Sequence, residues 1–239
     1  MIYLLDFIFY FNMQEDAKYW YLHDHQLFSV LTREENRALC LIPNFKTVKK
    51  SEIIYFSHDD EQRLYTIKSG TLKIVRVDED GNETVKEVLR SGDLFGQYTF
   101  DEVEENEDEF AVAVSDKVVI CSFKMNDFEE ILKRNPQLAI RYTKLVGFRI
   151  KRVTNNYTNL MFKDVKTRFA LFLKDWAMKE GSGKDEDVII KNYLTHNDIA
   201  GLICSTRQTV TLLFNELKNA GLIDYTRSEI VVHDVKKLG

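Results

Sequence analysis

The chain has 239 residues, 33 Lys and Arg against 38 Asp and Glu, a formal charge of −5, two prolines and three cysteines. A hydrophobic content of 44% excludes a disordered or collagen-like chain and suffices for one large or two modest packed domains. Cys40, Cys121 and Cys204 are too far apart to frame a disulfide scaffold or a CxxC knuckle, so a reducing cytoplasm is the expected compartment, and the mild acidity excludes coating nucleic acid by bulk charge.

The opening run from Met1 to Asn12 is apolar, yet it has about half the length of a membrane span and is broken by Asp6. It lacks the positive start and small-residue cleavage site of a signal peptide. Residues 1–18 are read as an appendage, with Met13 as an alternative start, and no membrane partner is expected. From Lys18 to Leu41 the pattern is helical, with Leu27, Phe28, Leu31, Ala38 and Leu39 on one side and Thr32-x-x-Glu35 spaced as a capping box.

Between Thr47 and Phe123 the period becomes two. Strands are expected at Glu52 to Phe56, Arg63 to Lys68, Thr71 to Val77, Thr84 to Leu89 and Asp116 to Phe123. The connectors Lys68-Ser69-Gly70, Asp78 to Asn82, Ser91-Gly92-Asp93 and Phe95-Gly96-Gln97 place glycine where the chain turns. The pattern is that of a small antiparallel barrel or roll.

Helical periodicity returns after Asp127, and Pro136 to about Phe162 predicts one helix of roughly 25 residues. Val146, Ile150, Val153, Tyr157 and Leu160 follow one another at alternating steps of four and three, the seam of a coiled coil. Such a stripe packs either on its own barrel or on a second copy. Arg141, Lys144, Arg149, Lys151 and Arg152 ring the seam as on a solvated helix, which favours a parallel homodimer. Lys163 to Lys179 is a further amphipathic helix, followed by a loop at Glu180 to Glu186.

Leu194 to Leu217 carries two helix starts: Thr195-x-x-Asp198 resembles a capping box, and Ser205-x-x-Gln208 has the full pattern. Ile199, Ala200 and Ile203, then Val210, Leu213 and Leu217, allow two short helices to cross over one core, with Ala200 leaving room for close approach. The second helix leaves Thr206, Arg207, Gln208 and Thr211 unburied on its first turns, where a recognition helix enters the DNA major groove. Gly221 caps it, and Leu222 to Asp224 with Glu229 to His233 predict a two-stranded wing.

From about Tyr19 onward the chain resembles the Crp/Fnr superfamily of bacterial transcription regulators. The resemblance rests on Leu194-Thr195, on Thr206-Arg207-Gln208-Thr209-Val210, on Asn219-Ala220-Gly221-Leu222-Ile223, and on Ser69-Gly70 and Gly92-Asp93-Leu94-Phe95-Gly96. It implies a homodimer on an inverted-repeat operator that recruits or blocks RNA polymerase. The expected fold is α+β: an N-terminal antiparallel β-roll (double-stranded β-helix) over residues 19–126, helices including a long dimerisation helix over 127–162, and a C-terminal winged helix-turn-helix over 163–239. Catabolite-activator-like members carry glutamate where Gln208 stands and arginine where Leu212 stands. Gln208 can pair with adenine, whereas Leu212 cannot make a bidentate contact with guanine, so a different operator is expected. Arg207 is the candidate for a guanine contact or phosphate clamp, and Thr195, Ser205 and Thr209 for backbone phosphates, with Thr206, Gln208 and Thr211 completing the surface.

The resemblance would place an effector pocket at Phe95, Gly96, Gln97 and Tyr98. Cyclic-nucleotide members have a glutamate after Phe-Gly and an Arg-Ser/Thr pair about ten residues on. This chain has Gln97 and then seven carboxylates between Asp101 and Glu109, so an anionic phosphate meets repulsion and cyclic AMP is not the expected effector. Residues 164–239 hold 11 Lys and Arg and 11 Asp and Glu, so the whole net charge of −5 lies on the sensor side. A lone Cys40 there does not suit an iron–sulfur cluster. His23, His25 and His58 keep haem as an alternative effector, as part of a ligand-controlled reading, but no cofactor or metal is expected. No GxSxG, GxxxxGK[ST] or HExxH occurs, and the isolated histidines do not furnish a cupin-like metal site, so no catalytic residues and no enzymatic activity are expected.

Overall fold

The computed structural model describes residues 25–35, 45–55, 62–96, 109–183 and 187–238. The expected appendage, His23, Cys40, His58, Gln97, Tyr98 and the acidic run up to Asp108 lie outside the described residues.

A 3-10 turn at Phe28–Val30 precedes eight strands: β1 (Phe45–Lys49), β2 (Ile53–Tyr55), β3 (Arg63–Ser69), β4 (Leu72–Val77), β5 (Glu83–Leu89), β6 (Leu94–Gly96), β7 (Glu109–Ala113) and β8 (Lys117–Lys124). They form two four-stranded sheets in the orders β1-β8-β3-β6 and β2-β7-β4-β5. Three of them, β1, β6 and β7, are additions to the strands expected from periodicity. Five helices and a small sheet follow: α1 (Met125–Arg134), α2 (Pro136–Phe162), α3 (Val165–Glu180), β9 (Val188–Lys191), α4 (His196–Leu202), α5 (Arg207–Asn219), β10 (Ile223–Tyr225) and β11 (Glu229–Val232). The chain is therefore α+β, an antiparallel roll followed by a long helix and a winged helix-turn-helix. It divides into two compact units, residues 1–74 with 88–150 and residues 75–87 with 151–239, the cuts falling within β4, β5 and α2.

In the first unit β3 and β8 are buried on both faces, because successive side chains alternate across a strand. Tyr65, Ile67, Val118 and Ile120 point into the roll with Leu72, Ile74, Leu89 and Phe95. Leu64, Cys121 and Phe123 point the other way, into a second cluster with Leu27, Phe28, Phe128 and Leu138. The near-continuous apolar runs of these two strands encode that double burial. At the β3–β4 turn Gly70 has φ +90°, and a Cβ there would stand 2.6 Å from the Lys117 carbonyl, so only glycine fits.

The long helix starts where expected. Asn135 ends α1 and its side-chain oxygen accepts the Leu138 N–H at 3.0 Å, with Pro136 in the first helical position, where a missing N–H costs nothing. The amide of Asn135 also donates to the Glu35 carboxylate at 3.0 Å, while Glu35 closes the expected capping box by accepting the Thr32 N–H at 2.8 Å. Burial works against charge on Glu35, but these donors outweigh it and hold its carboxyl below the usual range.

The charges around the α2 seam are not a freely solvated ring. Arg141 donates to the Gln26 carbonyl and the Ser29 hydroxyl, Arg149 to the Leu94 carbonyl at 3.0 Å, and Arg152 pairs with Glu87. These anchors fix which side of α2 is covered. Ile150, Val153 and Tyr157 remain 61%, 62% and 61% exposed and Leu160 43%, with Val146 half-buried.

Candidate nucleic-acid interface

Three helices build this part of the second unit. Asp164 caps α3 by accepting the Thr167 N–H at 2.7 Å. Phe169, Leu173 and Trp176 of α3 are buried, and Phe169 meets Phe214 of α5 edge-on with ring centroids 4.9 Å apart. Ile199 and Ala200 of α4 and Val210, Leu213 and Leu217 of α5 are buried as the spacing predicts, and Phe214, which that spacing does not single out, is buried with them.

Thr195 caps α4 in a complete capping box: its hydroxyl accepts the Asp198 N–H at 3.1 Å, and the Asp198 carboxylate accepts the Thr195 N–H at 2.8 Å. The second expected box is displaced by one residue. Thr206, not Ser205, caps α5, its hydroxyl accepting the Thr209 N–H at 3.2 Å. Cys204 takes the left-handed conformation, φ +52°, which turns the chain sharply after α4, and the Ser205 N–H is spent on the Ala200 carbonyl at 2.9 Å.

Arg168 holds that turn from outside. Its guanidinium donates to the carbonyls of Ile203 at 3.0 Å, Cys204 at 3.1 Å and Lys163 at 2.7 Å, linking α3 to the α4–α5 corner. Nothing in the local sequence pattern marks this residue, because its partners at that corner are backbone atoms 35 and 36 positions away.

At the surface, Thr206, Arg207 and Gln208 are exposed on the first turn of α5, and Thr195 is exposed at the start of α4. Ser205 and Thr209 are half-buried. Thr211, expected to be unburied, is also half-buried: its hydroxyl donates to the Arg207 carbonyl at 3.0 Å and lies 2.8 Å from Nδ1 of His196. His196 stacks on Phe214 at 4.8 Å, so α4 and α5 are joined by a polar contact as well as by their core.

The wing is larger than predicted. β11 pairs with β10 and also with β9, giving a three-stranded antiparallel sheet in the order β10-β11-β9. α5 enters it through a Schellman turn, with the Gly221 N–H donating to the Lys218 carbonyl and the Leu222 N–H to the Leu217 carbonyl, both at 3.0 Å, and Gly221 at φ +66°. Tyr225 of β10 donates its hydroxyl to Asn215 Oδ1 at 3.0 Å. His233 lies between Asp187 at 2.9 Å and Asp224 at 3.3 Å, contacts that raise its pKa.

The expected effector residues sit in the roll. Phe95 is buried and stacked on Tyr65 with centroids 4.9 Å apart, and Gly96 pairs with Leu64 where a Cβ would overlap the Arg63 carbonyl. Of the haem candidates, only His25 lies among the described residues, and it is not a free ligand. It is buried, Nδ1 accepts the Leu27 N–H at 3.1 Å, and Nε2 faces the Gly92 carbonyl at 3.1 Å. Among the described residues no cluster of three or more His, Cys, Asp or Glu side chains could hold a metal ion, and no helix is long and apolar enough to cross a membrane.

The family model for the cyclic nucleotide-binding domain matches residues 45–135, and that for the Crp-like helix-turn-helix domain matches residues 167–239. The chain is 28% identical over 192 residues to the global nitrogen regulator of Synechocystis sp., covering 80% of this chain and 85% of the relative. It is 24% identical over 190 residues to a CRP-like cAMP-activated global transcriptional regulator of Mycobacterium tuberculosis, covering 79% and 84%. A CRP/FNR-family transcriptional regulator from Thermus thermophilus has the same fold, with a TM-score of 0.62 at 24% identity and coverage of 82% of this chain and 96% of that one. With the first model falling on the roll and the second on the capped helix pair and wing, the chain belongs to the Crp/Fnr family of transcription regulators and carries its helix-turn-helix DNA-binding domain.

Proposed function

We infer that this regulator acts in the cytoplasm as a homodimer, reading an inverted-repeat operator with one α5 per half-site and acting on transcription through RNA polymerase. The observation that carries the reading is the division of α5 into two faces, one buried by Val210, Leu213, Phe214 and Leu217, the other presenting Arg207 and Gln208 beside the Thr206 cap. Arg207 is assigned a guanine contact or phosphate clamp and Gln208 an adenine contact. Thr195, Ser205, Thr206 and Thr209 are assigned to the phosphate backbone. Thr211 acts indirectly, by joining α5 to His196. The seam of Val146, Ile150, Val153, Tyr157 and Leu160 is assigned to the partner copy, which supports the division into sensor (19–126), dimer helix (127–162) and DNA-binding part (163–239).

The roll is assigned an effector other than a cyclic nucleotide, or none. One relative is named for activation by cAMP, but Gln97 and the carboxylates from Asp101 to Glu109 leave a cyclic phosphate without counter-charge. Selecting random duplex DNA on the purified full-length protein without added ligand tests the central reading. An enriched inverted repeat is expected; failure to enrich one contradicts it. Melting the protein with and without cyclic AMP tests the effector assignment, since a ligand bound to the folded state raises Tm.

A further inference from the structure

The outward face of α5 carries an apolar side chain that the chain itself leaves uncovered. Gln208, Leu212 and Asn215 follow one another at i, i+4 and i+7, directly opposite the buried stripe of Val210, Leu213, Phe214 and Leu217. Leu212 stands in the middle of that line, 63% exposed, with a hydrogen-bonding amide on either side of it. Burial in the core does not account for a leucine there, and water disfavours it.

DNA offers a specific occupant for such a side chain. On the base edges of the major groove the apolar group is the thymine C5-methyl, while adenine presents the donor and acceptor pair that suits a glutamine one helical turn earlier. The geometry points to Leu212 as a thymine-reading residue, packing on the C5-methyl of an A·T pair next to the pair read by Gln208. This rests on the reading of α5 as the recognition helix and extends it to base identity. Cytosine at that position would turn its amino donor, and guanine its O6 and N7 acceptors, toward a surface unable to pair with them. The site would reject both by leaving those groups desolvated and unmatched.

The test uses the full-length protein and the inverted repeat obtained by selection. Each thymine of the half-site is replaced in turn, symmetrically, by deoxyuridine, which removes the methyl alone, and Kd is measured by fluorescence anisotropy. For wild type one thymine should be sensitive, with a loss of about fourfold per half-site for a single buried methyl. Leu212→Ala should bind the thymine and deoxyuridine duplexes equally at that pair while keeping its other sequence preferences. Because Leu212 is exposed, this variant does not open a cavity. If no thymine is sensitive in wild type, or if Leu212→Ala retains the whole methyl effect, the assignment to Leu212 is overturned while DNA binding stands. If selection enriches no inverted repeat, the recognition-helix reading fails first and takes the assignment with it.

Discussion

The Thr211 hydroxyl is shared between two elements: it donates to the Arg207 carbonyl at 3.0 Å, and Nδ1 of His196 lies 2.8 Å from it. With the hydroxyl hydrogen spent on Arg207, Nδ1 of His196 must be the donor, which leaves Nε2 unprotonated in the neutral ring. Burial pulls the His196 pKa below its usual 6.5, and the neighbouring Arg207 charge adds to that. A depressed folded pKa means that the unfolded chain takes up the proton first. The contribution is complete above pH 6.5 and is lost as pH falls through the lowered value. His196 should therefore titrate below 6.5 by NMR, and Arg207→Ala should move its midpoint upward. A midpoint unchanged by that substitution would show that the Arg207 charge does not reach the ring.

His25 carries a separate acid sensitivity in the other unit. Neutral, it can accept the Leu27 N–H at Nδ1 while donating from Nε2 to the Gly92 carbonyl; protonated, it loses the acceptor. Burial is the main cause of its lowered pKa, opposed by the Gly92 carbonyl and Asp93. The sign is the same as for His196: stability falls below pH 6.5. His25→Ala strands both backbone partners and should cost about 1–3 kcal/mol in a denaturant titration at neutral pH, with a flatter dependence on acid. A variant as stable as wild type would contradict the structural role of this ring.

The long helix and the two helix starts were legible because their signals are local: Pro136, an unbroken helical period, and a hydroxyl residue three positions before its partner, Thr195 before Asp198 and Ser205 before Gln208. The third wing strand was not. Val188–Lys191 is short, follows a charged glycine loop, and takes its place in the sheet by pairing with Glu229–Val232, far along the chain. The cap of α5 fell one residue from its expected place because Ser205 and Thr206 are both good caps, and the left-handed Cys204 decides between them. Arg168 and the His196–Thr211 contact could not be read at all, since each joins residues that only the folded helices bring together. Tertiary geometry, not propensity, set these details.

Gly201 on α4 faces Thr84 and Val85 of β5, in the part of the β4–β5 hairpin (residues 75–87) that belongs to the second unit. A Cβ there would stand 3.0 Å from the Val85 carbonyl oxygen, 3.1 Å from its nitrogen and 3.3 Å from Thr84 Cγ2. Alanine requires the hairpin to yield by a few tenths of an ångström and gains about 1 kcal/mol of helix propensity, so Gly201→Ala should be close to neutral. Gly201→Leu cannot be accommodated in that space and should displace the hairpin. Hydrogen exchange should then accelerate at residues 83–87 in the leucine variant but not in the alanine variant. Wild-type protection in Gly201→Leu would mean that the two elements do not press on one another in solution.

The seam of α2 makes the most direct prediction about assembly. Arg141 and Arg149 tie one side of the helix to the roll, so the stripe of Ile150, Val153 and Tyr157 cannot rotate inward to be covered by its own chain. Each such side chain gains about 1.5–3 kcal/mol when fully buried, and a parallel dimer buries the set from both copies, enough to hold two subunits together. Placing carboxylates at two seam positions sets like charges opposite one another across the axis. Ile150→Glu combined with Val153→Glu should therefore sediment as a monomer. Because both residues are more than half exposed in the single chain, its circular dichroism should remain that of the folded protein. The monomer should keep a weak preference for a single half-site and lose the dependence on half-site spacing. A double variant that still sediments as a dimer would place the subunit contact elsewhere than on this seam.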